Sequence, residues 1–206
     1  MLWVDVEIWV RWLTFLPIIA ASVVGLALSL WKRAQLRRPN LPPPQVMRDV
    51  HEFLAARQIN KAQALIHGDK ARASQIVEVV LSNAGRSREL ITDRAQQQGR
   101  QLANGLEYGM GGLALIATLG PLLGLFGTVV GIALVFHKLA ALQGVTTPQD
   151  LAGGIGTALY TTIAGLIVGI LALVTHRYFA ARIDRTVAEL EAETAVLVDQ
   201  ACGEGR

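Results

Sequence analysis

The chain has 206 residues, 52% of them hydrophobic and only 17% charged, a balance more apolar than soluble domains usually carry. Its one cysteine, Cys202, excludes an intrachain disulfide framework, and four scattered histidines (His51, His67, His137, His176) show no metal-ligand spacing, so no cofactor or metal is expected. No nucleophile–base pair or phosphate loop stands out either, which argues against an enzyme.

Charges are absent from three windows, residues 12–31, 108–136 and 151–175, each long enough to cross a hydrocarbon core of about 30 Å. The expected fold is therefore an all-α membrane protein with three transmembrane helices. The first window is not a secretory signal. Asp5 and Glu7 stand in the short amino end, 1–11, where a signal would be basic, and Trp9, Trp12 and Trp31 bracket a full-length span.

Between the first and second windows lies a more polar region, 32–107, too short and too polar to read as an independent domain. It opens with a proline-rich connector, Pro39, Pro42, Pro43 and Pro44. Helical spacing of Val46, Val50, Phe53, Leu54, Ile59, Ala62 and Leu65 predicts helix from 46 to about 68, with Asn60 or Gly68 as breaks. A further helix is predicted over 74–82, where Ile76, Val77, Val80 and Leu81 share a face. From Arg86 the pattern runs through Glu89, Asp93, Arg94, Gln101 and Glu107 into the second window with no proline before Pro121, which predicts one long helix. Within the segment 137–150 between the second and third windows, a short loop from Leu142 to Gln149 carries Gly144, Thr146, Thr147 and Pro148. The third window continues without a breaker into an amphipathic tail, 176–206, bearing Ile183, Val187, Leu190, Ala195 and Val198.

The basic residues sort by loop, which accounts for the pI near 9.4 and net charge of +3 without nucleic acid. Of 19 Lys and Arg, only Arg11 and Lys138 lie outside the region between the first two windows and the tail after the third. The positive-inside rule then places the amino end and the 137–150 segment on the outer face, and the 32–107 region and the tail in the cytoplasm. The second and third helices are expected to extend into the cytoplasm.

The second and third windows are rich in glycine and threonine at helical intervals. Gly153, Thr157, Thr161, Gly165 and Gly169 form one stripe, and Gly120, Gly124 and Thr128 another, with Gly127 and Gly131 beside it. Such stripes let helices approach closely in lipid, within a chain or between subunits. No Asp, Glu, Lys or Arg lies in any window, so a proton path would need a carboxylate from a partner. The hydroxyls of Thr128, Thr157, Thr161 and Thr162 could hold water or hydrogen-bond such a carboxylate. Pro121 removes a donor and frees a carbonyl near Ala117, which predicts a bend.

The run Leu119-Gly120-Pro121-Leu122-Leu123-Gly124-Leu125-Phe126-Gly127-Thr128, continuing to Ile132, closely resembles the pattern of the ExbB, TolQ and more distantly MotA proteins. A second block, Gly154-Ile155-Gly156-Thr157-Ala158-Leu159-Tyr160-Thr161-Thr162, continuing to Leu166, looks like the start of that family's last span. The resemblance implies a homopentameric ring in the bacterial inner membrane. The ring would surround the single transmembrane helices of two ExbD- or TolR-like subunits that each carry a membrane aspartate. It implies a proton channel that drives a TonB- or TolA-like periplasm-spanning partner, with Thr128 and Thr162 facing the pore. Two positions depart from the pattern: Thr157 replaces a family glutamate and Leu171 a family proline, the latter implying a straighter third helix. The alternatives are a non-conducting membrane scaffold and a flagellar-type stator, the latter normally bringing a larger cytoplasmic region.

Overall fold

A computed structural model describes the backbone of residues 2–37, 41–141 and 147–202, and their side chains apart from those of 2–11 and 150. Pro39, Gly144, Thr146 and the side chains of Asp5, Glu7, Trp9 and Arg11 therefore lie outside the described residues. Seven helices are present among them: α1 Leu2–Gln35, α2 Pro44–Ala55, α3 Ile59–Ile66, α4 Arg72–Ser82, α5 Arg88–Glu107, α6 Met110–Ala141 and α7 Pro148–Cys202. Stretches in α1, α6 and α7 are long and apolar enough to cross a membrane.

Two compact units share these helices. The first comprises Met1–Trp31 and Gly109–Tyr178, the second Lys32–Tyr108 and Phe179–Arg206. In the first unit small and medium side chains face inward: Thr14, Ile18, Leu113, Ile116, Ala158, Thr161 and Ala172 are all buried. Large apolar side chains such as Leu26, Leu122, Leu125, Val129, Ile167, Ile170 and Val174 are more than half exposed. Water would not tolerate so continuous an apolar exterior, whereas lipid tails solvate it without penalty.

The second unit follows the opposite rule. Val50, Ala62, Ile66, Ile76, Val77, Val80, Leu81, Ile91 and Ala95 form one buried cluster, which Leu190, Leu197 and Val198 of α7 complete. Polar contacts tie the same end of α7 down. The His51 ring lies between Gln200 Oε1 at 2.6 Å and Glu193 Oε1 at 3.0 Å, and Arg88 pairs with Asp199 at 2.6 Å. The 32–107 region does not stand alone because its core is finished by a segment about a hundred residues downstream.

Two expectations are corrected at helix ends. The long helix running from Arg86 into the second window is interrupted: α5 stops at Glu107, and α6 begins at Met110. Gly109 adopts φ +84°, a left-handed conformation that glycine takes at little cost, and Trp31 packs where a side chain at this position would be. The break expected at Asn60 falls earlier, at Arg57 with φ 57°, so Asn60 lies inside α3, while Gly68 does mark the end of that hairpin with φ +87°. α6 continues to Ala141, and Pro148 opens α7, a position where its missing N–H costs nothing.

Gly109→Ala is expected to lower stability by about 2 kcal/mol, since a non-glycine residue resists positive φ and the new Cβ would lie 2.9 Å from Trp31 Cζ3. Thermal unfolding in detergent reads the change. Gly105→Ala, in α5 with nothing within 4 Å of its Cβ, should instead be neutral or slightly stabilising. Equal melting of the two variants would remove the junction's special role.

Candidate functional site: a threonine seam between two membrane helices

Helices α6 and α7 touch along glycine. A Cβ added at Gly120 would lie 2.9 Å from Gly165 O, and one at Gly124 would lie 2.8 Å from Thr161 O and 2.9 Å from the Cα of Thr162. At Gly127 it would meet Thr161 Oγ1 at 2.6 Å, and at Gly131 the Cβ of Ala158 at 2.6 Å. Backbones this close leave room only for hydrogen on the facing residues. Pro121 takes part: its Cδ would be 2.5 Å from a Cβ on Gly169, and the Ala117 carbonyl that the proline leaves unbonded faces the same glycine, 3.1 Å from that Cβ. Pro121 lies inside α6, which remains helical through it.

The predicted stripe on α7 is only half used within the chain. Thr161, Gly165 and Gly169 sit in the seam, but Gly153 and Thr157 are exposed, and Gly154 and Ala158 take their place against Val135 and Gly131. A spacing of four overruns the 3.6-residue turn, so over several turns the contact line shifts back by a position. Thr157 donates to Gly153 O at 2.9 Å, the bond a threonine makes one turn back on its own helix.

Three hydroxyls gather where the seam is tightest. Thr161, buried, donates to Ala158 O at 2.7 Å, with Gly124 O at 3.1 Å. Thr128 and Thr162, half-buried, hydrogen-bond each other through their Oγ1 atoms. Gly124 O is 3.2 Å from Thr128 Oγ1 and 3.1 Å from Thr162 Oγ1, and Ala158 O is 3.2 Å from Thr128 Oγ1. Each hydroxyl has one proton, so one of the Thr128–Thr162 pair donates to the other and the second donates to a carbonyl. Both orders are available. The pair can therefore reverse its polarity by turning the two hydroxyls about their C–O bonds.

Residues 60–192, more than half of the chain and including the whole seam, match the MotA/TolQ/ExbB proton channel family. The chain belongs to this family. It is 43% identical over 96 residues to the biopolymer transport protein exbB1 of Vibrio cholerae, covering 47% of this chain and 40% of that protein. It is 31% identical over 184 residues to the biopolymer transport protein ExbB of Salmonella typhimurium, covering 84% of this chain and 74% of that protein. With the biopolymer transport protein ExbB of Neisseria gonorrhoeae it shares 40% identity over 80 residues, 38% of this chain and 35% of that one. The chain thus spans well under half the length of two of these three relatives. It is an ExbB-like, multi-pass inner-membrane member of the family, with three apolar helices.

One residue of this ExbB-like chain gains a role that the sequence did not disclose. Lys32, counted only among the basic residues that set topology, is 1% exposed. Its Nζ donates to Leu106 O at 2.5 Å, Tyr108 O at 2.7 Å and Gln35 Oε1 at 2.9 Å, so it caps the last carbonyls of α5 where that helix breaks. No local pattern marks this, because the partner carbonyls lie more than seventy residues away.

Proposed function

We propose that this chain is the ring-forming, proton-conducting subunit of an inner-membrane motor that uses proton-motive force to drive a periplasm-spanning partner of the TonB or TolA kind. The observation that carries the proposal is the reversible Thr128–Thr162 hydroxyl pair, set in a seam without any carboxylate of its own. A protonated acid presented to the pair would be met by lone pairs; an ionised one would be met by a donor when one hydroxyl turns from its backbone carbonyl toward the acid. The carrier is then the membrane aspartate of a single-span ExbD- or TolR-like subunit, present in two copies inside a homopentamer. Thr157, standing where family members carry glutamate, leaves that aspartate as the main proton site. In this reading the second unit and the 32–107 region are cytoplasmic and the amino end periplasmic.

The non-conducting scaffold reading has one observation in its favour: all three seam hydroxyls already have acceptors within the chain. Partner chemistry separates the two. Tagged protein extracted gently from its native membranes should co-purify with a small chain that has one apolar helix bearing an aspartate, at a ratio below one per copy. Recovery of this chain alone, from membranes where such a partner is expressed, would favour the scaffold.

A further inference from the structure

We infer that the basic side chains gathered at the end of α1 form a binding site for the phosphate of an anionic phospholipid. Three cations from three helices converge on the last turn of α1, all within the second unit. Lys32 lies buried beneath it, held by Leu106 O, Tyr108 O and Gln35 Oε1. Arg72, at the start of α4, donates from Nη2 to Gln35 O at 2.5 Å, and Arg182 of α7 donates from Nη2 to Leu36 O at 3.4 Å. The Arg72 guanidinium is close enough to Lys32 for the two charges to act against each other. Arg33 and Arg37 add two exposed cations on the same end of α1.

The carbonyl end of a helix offsets only about half an elementary charge. Beside it stand the exposed cations Arg33, Arg37 and Arg182. Asp69, three residues before Arg72, is turned to its own helix start, where Oδ1 accepts from Ala71 N–H at 2.7 Å and Ser74 Oγ at 2.8 Å. Carbonyl oxygens of the α1 end position both guanidiniums. Arg182 is exposed, and its planar fork suits a second, bidentate partner with two oxygens, which a phosphate diester provides.

A lipid phosphate, as opposed to a soluble one, is indicated by chain position. Lys32 follows the uncharged stretch 12–31 directly, so the end of α1 emerges at headgroup depth, and exposed Trp31 beside it is the aromatic type that favours this layer. Clusters of four or more Lys and Arg just beyond a spanning helix are the pattern that anionic headgroups bind.

Trp31 supplies the probe. With Trp3, Trp9 and Trp12 changed to phenylalanine, the full-length chain is reconstituted in phosphatidylcholine vesicles containing acyl-brominated phosphatidylglycerol or acyl-brominated phosphatidylcholine, and Trp31 fluorescence is titrated. Brominated phosphatidylglycerol should quench at several-fold lower mole fraction. Arg72→Gln with Arg182→Gln should remove the preference, by about five-fold for each arginine lost. Arg72→Lys with Arg182→Lys should keep most of it, and Arg182→Gln alone, at an exposed position, repeats the test if the double variant does not fold. Equal quenching by the two lipids, or a preference that survives the glutamine changes, overturns the proposal. So does loss of the preference on adding excess inorganic phosphate, which would make the site one for a soluble anion.

Discussion

Gly124→Ala is expected to part α6 from α7 and to cost about 3 kcal/mol, the upper end for overpacking. The added Cβ would lie 2.8 Å from Thr161 O and 2.9 Å from the Cα of Thr162, both backbone atoms, so no side chain can swing aside to make room. The three seam hydroxyls depend on the same approach, since the Gly124 carbonyl is an acceptor for all of them. Melting in detergent, followed by protease resistance of the two helices, measures the effect. Gly153→Ala and Gly156→Ala, whose new Cβ atoms would have nothing within 4 Å in the chain, should leave the isolated chain unchanged. If these two reduce oligomer size while Gly124→Ala destabilises each chain, the stripes serve two purposes. Unaltered melting of Gly124→Ala would mean that the glycine contact does not hold the helix pair.

Thr162→Val should leave the fold and the oligomer in place but abolish most proton-driven work. Valine keeps the shape of threonine and removes the hydroxyl, so Thr128 loses its partner and the pair can no longer reverse polarity. The stability cost of one interhelical hydrogen bond in a membrane is only about 0.6 kcal/mol, too little to unfold the chain. Proton flux in vesicles holding the chain and the proposed single-span partner is the direct readout, with Thr162→Ser expected to restore a large part of it. Flux that survives valine at 162 and at 128 would remove the pore assignment. Thr157→Val makes a useful comparison, because that hydroxyl is exposed and bonds only one turn back on its own helix.

Much of the candidate site was legible beforehand because membrane helices leave few choices. Gly120, Gly124, Gly165 and Gly169 were recognisable as small residues at close-packing intervals, and Pro121 as the source of a freed carbonyl near Ala117. Which of the small residues meet was not legible. The exchange of Gly153 and Thr157 for Gly154 and Ala158 depends on how a 3.6-residue turn drifts along a fixed partner, which sequence spacing alone leaves open. Thr161, by contrast with its neighbour Thr162, proved to be the buried member of the trio.

The sequence by itself determined the three apolar spans, the all-helical class and the family, because burying backbone in lipid demands long uncharged helices and because two specific blocks occur in order. Tertiary structure alone decided three other matters. It split the expected long helix at Gly109, where positive φ and the Trp31 ring act together. It completed the core around 44–95 with Leu190, Leu197 and Val198. It also turned Lys32 from a surface charge into a buried cap on α5. Each of these rests on contacts between residues far apart in the chain, and those contacts have no signature in local composition or period.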